Sequence, residues 1–299
     1  MKLPIFLLFS LLFFSSSLAQ TNNDPLYVNY NFFPSRELKN FEESATYGQL
    51  EANMIFPGFN LGKKTTVYTN LNYKLSSYGW DETTSEIFPD QLQDIRLGFI
   101  VRHEISDNWE AILAPRLNAR SDFKEKFGKR DIFPSVHLLG LRNTDAHPNW
   151  TYGLGISYNN EAKKNLVIPL AFLQYQGEDF RVYTIIPSFM YFLMTPSDTF
   201  EYGISINLEA GMFHVNRFSL DDSPNYLSIQ NTTIAPTIAY KFYKNFWLNA
   251  KAGYAIPGKY HMLDADFDVL PEFEKNSFKG GFYANVGVSL RVKDQKEKN

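Results

Sequence analysis

Phe282-Tyr283-Ala284-Asn285-Val286-Gly287-Val288-Ser289-Leu290-Arg291-Val292 alternates almost without error and decides the fold. Phe282, Ala284, Val286, Val288, Leu290 and Val292 form one row, and Tyr283, Asn285, Gly287, Ser289 and Arg291 form the other. A period of two with one apolar and one polar face marks a strand lying between two different environments.

The same pattern recurs upstream. In 44–56, Leu50, Ala52 and Met54 oppose Gln49, Glu51 and Asn53; in 64–75, Val67, Leu71 and Leu75 oppose Asn70, Asn72 and Lys74. In 94–105, Ile95, Leu97 and Phe99 oppose Asp94, Arg96, Arg102 and Glu104; in 109–120, Ala111, Leu113 and Leu117 oppose Glu110, Arg116, Asn118 and Arg120. Further segments lie near 132–141, 150–158, 166–176, 179–194, 199–213, 227–242 and 245–256. Most run for about 9–13 residues, the length of a tilted membrane strand rather than the roughly 5–6 of soluble sheets. The fold class is therefore all-β, a transmembrane antiparallel β-barrel over 44–292.

Links at 106–108, 146–149, 177–179, 195–198 and 244–245 are short, and those at 76–91, 121–131, 214–226 and 257–278 are long. Short turns on one rim and long loops on the other is the outer-membrane pattern. Aromatics follow several short turns, as Trp109, Trp150, Phe180 and Phe246-Trp247, where an interfacial girdle belongs. Twelve obvious segments leave the turns at 106–108 and 244–245 on opposite rims. Dividing 179–194 at Pro187 repairs the parity, and a first strand at 26–33 within the N-terminal segment 20–43 makes the total even, so the expectation is 12–14 strands. Pro115, Pro134, Pro169, Pro187 and Pro236 interrupt strand segments and are expected at bulges or strand ends, with a wall that opens sideways as the alternative.

The chain opens with Lys2, an apolar run from Leu3 to Phe14, and small residues at Ser17 and Ala19. This describes a secretory signal over 1–19 cleaved after Ala19, because the run is far shorter than the roughly 20 residues a spanning helix needs. There is no Cys, which excludes a lipoprotein anchor, disulfides and thiolate metal sites. Aromatics make up 16% of the chain while mean hydropathy stays negative, at −0.28, as in a barrel that hides its membrane band in half of each strand. The net charge of −3 gives a nucleic-acid partner no electrostatic footprint.

Asn285, Gly287, Leu290 and Val292 resemble the C-terminal signal by which outer-membrane barrels are handed to the barrel-assembly machinery. The expected compartment is therefore the outer membrane, and the expected partners are that machinery and outer-membrane lipid. The charged tail 293–299, following the last strand, departs from the pattern. The paired Ile-Pro segments around Gln174-Tyr175-Gln176, Leu208-Glu209-Ala210-Gly211 and Tyr254-Ala255-Ile256-Pro257-Gly258 resemble an uncharacterised family of Bacteroidota outer-membrane β-barrels, a domain of unknown function. That resemblance implies the fold and compartment and supplies no catalytic residue.

Outer-membrane lipid hydrolases carry a His-x-Ser pair on one strand face, so that His can act as base on Ser. None of the five His residues has it; only the reversed Ser135-Val136-His137 occurs, without an acid nearby to orient the His. Gly-x-Ser-x-Gly, His-Glu-x-x-His and a phosphate loop are also absent. Asp264, Asp266 and Asp268 are a weak calcium candidate in a loop that fails the EF-hand template at Val269 and Lys275. Lys124, Lys126, Lys129 and Arg130 could meet lipid phosphates or keep a loop soluble. The chain reads as a non-enzyme with neither cofactor nor metal.

A charge facing lipid at mid-membrane would cost about 2–4 kcal/mol. Glu51, Asp94, Arg96, Arg102, Glu104, Glu110, Arg116, Arg120, Glu201, Glu209 and Lys251 are therefore assigned to the lumen. Two functions use that lining: a narrow, charge-lined pore for small polar solutes, or a structural barrel plugged by paired charges.

Overall fold

A computed structural model of the chain describes residues 24–39, 43–80, 88–144, 147–159, 166–216 and 225–292. The proposed signal at 1–19 and the tail 293–299 lie outside the described residues. Fourteen strands close into one antiparallel ring. They are β1 (Leu26–Leu38), β2 (Glu43–Ile55), β3 (Thr65–Trp80), β4 (Gln91–Ser106), β5 (Trp109–Ser121), β6 (Ile132–Thr144) and β7 (His147–Asn159). The ring continues with β8 (Leu166–Gln176), β9 (Phe180–Ile186), β10 (Phe189–Ser197), β11 (Phe200–Val215), β12 (Asn225–Tyr243), β13 (Phe246–Ile256) and β14 (Gly281–Leu290). Each pairs with its successor, and β14 returns to β1 from Leu26↔Leu290 to Phe32↔Ala284. Closure along this seam satisfies backbone groups that hydrocarbon cannot. Among the described residues no helix is long and apolar enough to cross a membrane.

The alternation sets which face meets lipid. Val28, Leu50, Leu71, Leu97, Leu154, Ile204, Leu248 and Val286 are exposed on the outer face, Leu154 at 75%. Their neighbours Asn29, Glu51, Asn72, Arg96, Asn249 and Asn285 are buried or half-buried on the inner one.

The short links gather on the rim that also holds residue 26 and Leu290, and the long ones gather on the opposite rim. β9 and β10 are separated at Pro187-Ser188, and the possible first strand at 26–33 extends to Leu38, so the barrel begins before residue 44. Strand lengths range from 7 residues in β9 to 19 in β12, wider than the alternation predicts. Past Pro257, Gly258–Leu263 continues beside the upper part of β12, pairing Tyr226↔Leu263 through Ile229↔Tyr260.

Three of the five prolines lie in a turn or near a strand end. Pro187 is in a turn, Pro134 is two residues past the start of β6, and Pro169 lies beyond the point where β9 stops pairing with β8, at Ile186↔Ala171. Pro115 and Pro236 correct the expectation. Each sits inside a ladder that lapses around it, between Gly98↔Arg116 and Val101↔Leu113 and between Ile234↔Tyr254 and Thr237↔Lys251, and neither position is a register shift. The missing N–H removes a rung without displacing the strand.

Trp109, Trp150 and Phe180 belong to the outer row, and Tyr175 stacks with Phe180 at 4.5 Å and meets Trp150 at 4.7 Å with the rings tilted. Trp247 does not. It is buried on the inner face, with the Arg291 guanidinium 4.3 Å from its ring centroid.

Candidate functional site

The charged rows converge in the barrel interior, and the register carries them strand by strand. Glu51 is opposite Lys74, Lys74 opposite Asp94, Asp94 opposite Arg120, and Arg96 opposite Asn118. On the other side, Glu209 is opposite Asn231 and Lys251 opposite Asn285. Three groups of ion pairs result.

The first spans the lumen. Lys74 Nζ on β3 lies 3.4 Å from Glu51 Oε2 on β2 and 3.0 Å from Glu209 Oε1 on β11, across the ring. Glu51 also accepts from the Tyr27 hydroxyl at 2.8 Å and from Asn72 Nδ2 at 2.9 Å. Next to it, Asp94 binds Arg120 Nε at 2.9 Å and Arg96 Nη2 at 3.3 Å, while Arg96 Nε donates to Asn118 Oδ1 at 2.9 Å. Arg120 is 1% exposed, so removing one partner of this group would strand a buried charge.

The second group lies near the short-turn rim. Glu201 binds Arg181 through one oxygen and Arg291 Nη1 through the other, at 2.6 Å for the latter. Arg291 also reaches Asp24 at 3.3 Å and Asn249 Oδ1 at 2.9 Å. Burial holds the Asp24 carboxyl above the ordinary carboxylate range against the pull of Arg291. Arg102 and Glu110 form a third, two-pronged pair. Lys251 meets no carboxylate among its described contacts; its ammonium sits 4.9 Å from the Tyr191 ring centroid.

Strands β6 to β10 present a different inner surface. Leu139, Leu141, Leu170 and Phe172 form a buried cluster, with Ile112, Tyr183 and Ile185 packed on it. Gly155 lies opposite Leu139 and Gly153 opposite Leu141, which leaves room for the two leucines over β7. A Cβ added at Gly153 would stand 2.3 Å from Gly140 O and 2.6 Å from Leu141 Cδ2.

Towards the long-loop rim the interior holds a second apolar body. Phe33, Tyr47, Tyr78, Leu227, Tyr260 and Tyr283 from the strands pack with Phe88, Phe273 and Phe278. Phe88 comes from the link between β3 and β4, and Phe273 from the link after Leu263. Trp80 stacks on Phe88 at 4.7 Å. Arg36 ties this body to the wall, donating to Asn231 Oδ1 at 2.9 Å and to the carbonyl of Lys279 at 3.1 Å.

Glu104 lies beside Glu110 in the ladder and is exposed at the short-turn end, before a register shift. The aliphatic part of Arg116 lies over Gly98, where an added Cβ would meet its Cγ at 3.1 Å. Ser135 and His137 share the inner face of β6, and Ser135 Oγ accepts from Asn118 Nδ2 at 3.5 Å. Asp264 Oδ1 accepts the backbone N–H groups of Asp266 and Asp268, both at 2.9 Å, so this carboxylate closes its own turn. Among the described residues no three His, Cys, Asp or Glu side chains gather as a metal group. Lys124 pairs with Asp90 at 2.7 Å.

Sequence reasoning missed Arg36, Arg181 and the His214–Asp131 pair, whose Nδ1 and Oδ1 are 2.8 Å apart. Arg36 follows the register shift between Phe33 and Arg36, which turns an even position inward. Arg181 lies in a strand where only Arg181 and Thr184 interrupt an apolar run, so no polar row marks it as inward. His214 and Asp131 are 83 residues apart and lie on opposite sides of the mouth.

With the closed ring, apolar outer face and charged inner rows in place, the class is an outer-membrane-type β-barrel. The chain belongs to the family DUF6268, a domain of unknown function, whose model matches residues 18–291. No curated protein matches it in sequence. Among solved structures it is similar to the COG4313 outer membrane channel from Pseudomonas putida F1, at 9% identity over 92% of this chain and 100% of that one, with a TM-score of 0.47. It is also similar to the Pseudomonas putida toluene transporter TodX (10% identity, 91% and 90% covered, TM-score 0.37) and to LpxR from Salmonella typhimurium (6%, 89% and 100%, 0.37). At these identities the likeness concerns the fold alone.

Proposed function

We propose that the protein is a non-enzymatic, transport-related barrel of the outer membrane in a Bacteroidota-type envelope, a narrow conduit for small polar solutes that is closed at its outer mouth in this structure. The observation that carries the reading is the division of the interior along its axis. The charged middle and lower lumen is capped by an apolar body that includes Phe88 and Phe273, which come from links and not from the strands. Such a cap can leave while every ladder stays intact. Export uses the signal before Ala19, and insertion uses Asn285, Gly287, Leu290 and Val292. The strand carrying that signal forms the closing seam with β1, which supports the assignment.

The second reading is a structural or interaction barrel with a plugged lumen. It is favoured by the Lys74–Glu209 pair, which crosses the interior.

Planar-bilayer conductance of the refolded protein tests both. The conduit reading expects wild type to be nearly silent and Phe88→Ala/Phe273→Ala to conduct in discrete steps. Arg96→Ala or Arg116→Ala in that background should alter the ion selectivity of those steps. A folded double variant that stays silent would leave the plugged barrel as the function.

A further inference from the structure

We propose that the wall above the β9–β10 turn is a side opening through which a small apolar molecule dissolved in the bilayer reaches the barrel interior. This goes beyond the axial conduit and does not depend on it.

Among the described residues the ladders of the wall do not meet there. Pairing of β8 with β9 ends at Ala171↔Ile186, and pairing of β10 with β11 ends at Phe189↔Asn207, capped by the Leu208 N–H donating to Ser188 O at 2.8 Å. Beyond these points β8 continues back to Leu166 and β11 continues on to Val215, and no ladder joins the two among the described residues. At 7 residues β9 is too short to fill the space. It extends at most about 23 Å if upright and about 18 Å at a usual barrel tilt, against an apolar band of about 25 Å.

The upper part of β11 turns away from the break. Met212, in its outer row, is fully buried against Phe133, Tyr226 and Leu263. His214 reaches Asp131, and its carbonyl accepts the Asp122 N–H at 3.3 Å, so this end of β11 docks on β5 and the link after it, bypassing β7 and β8. The separation of the two edges is thus held in place by named contacts.

The chemistry of the break fits an apolar visitor. Its β8 edge, at the long-loop end of the strand, is Leu166, Val167, Ile168 and Pro169, apolar throughout, with Val167 65% exposed on the outer face. Directly inside it lie Leu170, Phe172 and Ile185, the apolar cluster of the interior, and not the ion pairs of the other walls. Among the described residues no ladder hydrogen bond spans the break between the β8 and β11 edges, so a side chain there can change rotamer without breaking one. A charged solute would lose its hydration on this route, since the cluster offers no ionic partner.

The absence of Cys makes the test direct. Single cysteines at Leu170 and Ile168 carry a bimane fluorophore, and Asn285→Cys on the intact opposite wall is the control. Each variant is refolded into phospholipid vesicles and checked for heat-modifiable migration, and bromobenzene dissolved in the bilayer is the quencher. The proposal expects quenching at Leu170 or Ile168 severalfold stronger than at Asn285, and its loss when Ala210→Trp fills the β11 edge. Quenching no stronger than the control in both folded variants would overturn it. Brominated phospholipid chains quenching as strongly as bromobenzene would also overturn it, by showing a lipid-chain groove instead of an entry route.

Discussion

The two sides of the barrel interior are built from opposite materials. On the side formed by β1 to β5, Asp94 is ion-paired with Arg96 and Arg120, joined to the rest by Lys74 and Glu51. On the side formed by β6 to β10, Leu139, Leu141, Leu170 and Phe172 pack over glycines. Both sides face the same lumen and both wear an apolar outer face. The polar side owes its rigidity to directional partners that tolerate no unpaired member. The apolar cluster rests on shape, and Arg181 on this side is paired with Glu201 near the short-turn rim and away from the cluster, so the cluster can be parted at lower cost. This difference explains why a break in the wall can persist beside β8 and β9.

Arg120→Met should break the comparison most strongly. It leaves the buried Asp94 short of its nearest partner and should cost about 3–5 kcal/mol, read from denaturant unfolding in lipid vesicles. Adding Asp94→Asn should recover part of the loss; an Arg120→Met barrel as stable as wild type would mean a hydrated, loosely paired lining. On the apolar side, Leu141→Ala should cost about 3 kcal/mol through the cavity it leaves. Gly153→Ala comes next, at about 1–3 kcal/mol, because its Cβ would meet the Gly140 carbonyl and force the strands apart. The rim pair Lys279–Glu37, with both side chains 56% exposed, supplies the floor. Lys279→Ala should move stability by less than about 1 kcal/mol, and a larger loss would show that the rim, not the interior, holds the barrel.

The polar side was legible because its strands alternate. Asp94, Arg96, Arg102 and Glu110 could be assigned inward from spacing alone, and the split at Pro187 followed from rim parity. The apolar side was not legible as a lining, because Leu166-Val167-Ile168 is apolar on both faces and Val182 to Ile186 is broken only by Thr184, so neither gives a polar inward row to read. A strand buried on both faces reads as a continuous apolar run, and that was the available signal for a lumen without charges. Arg36 escaped for another reason: a single register shift reverses the alternation beyond Phe33. The closure of the mouth depends on Phe88 and Phe273 folding in from links, where periodicity carries no information.

Single-channel recording of the refolded full chain in a planar bilayer tests the closed, charge-lined conduit most directly. The account predicts near-silence from wild type and discrete, ion-selective steps once Phe88→Ala/Phe273→Ala removes the cap. A large, steady conductance from wild type, unchanged by that double substitution, would contradict it.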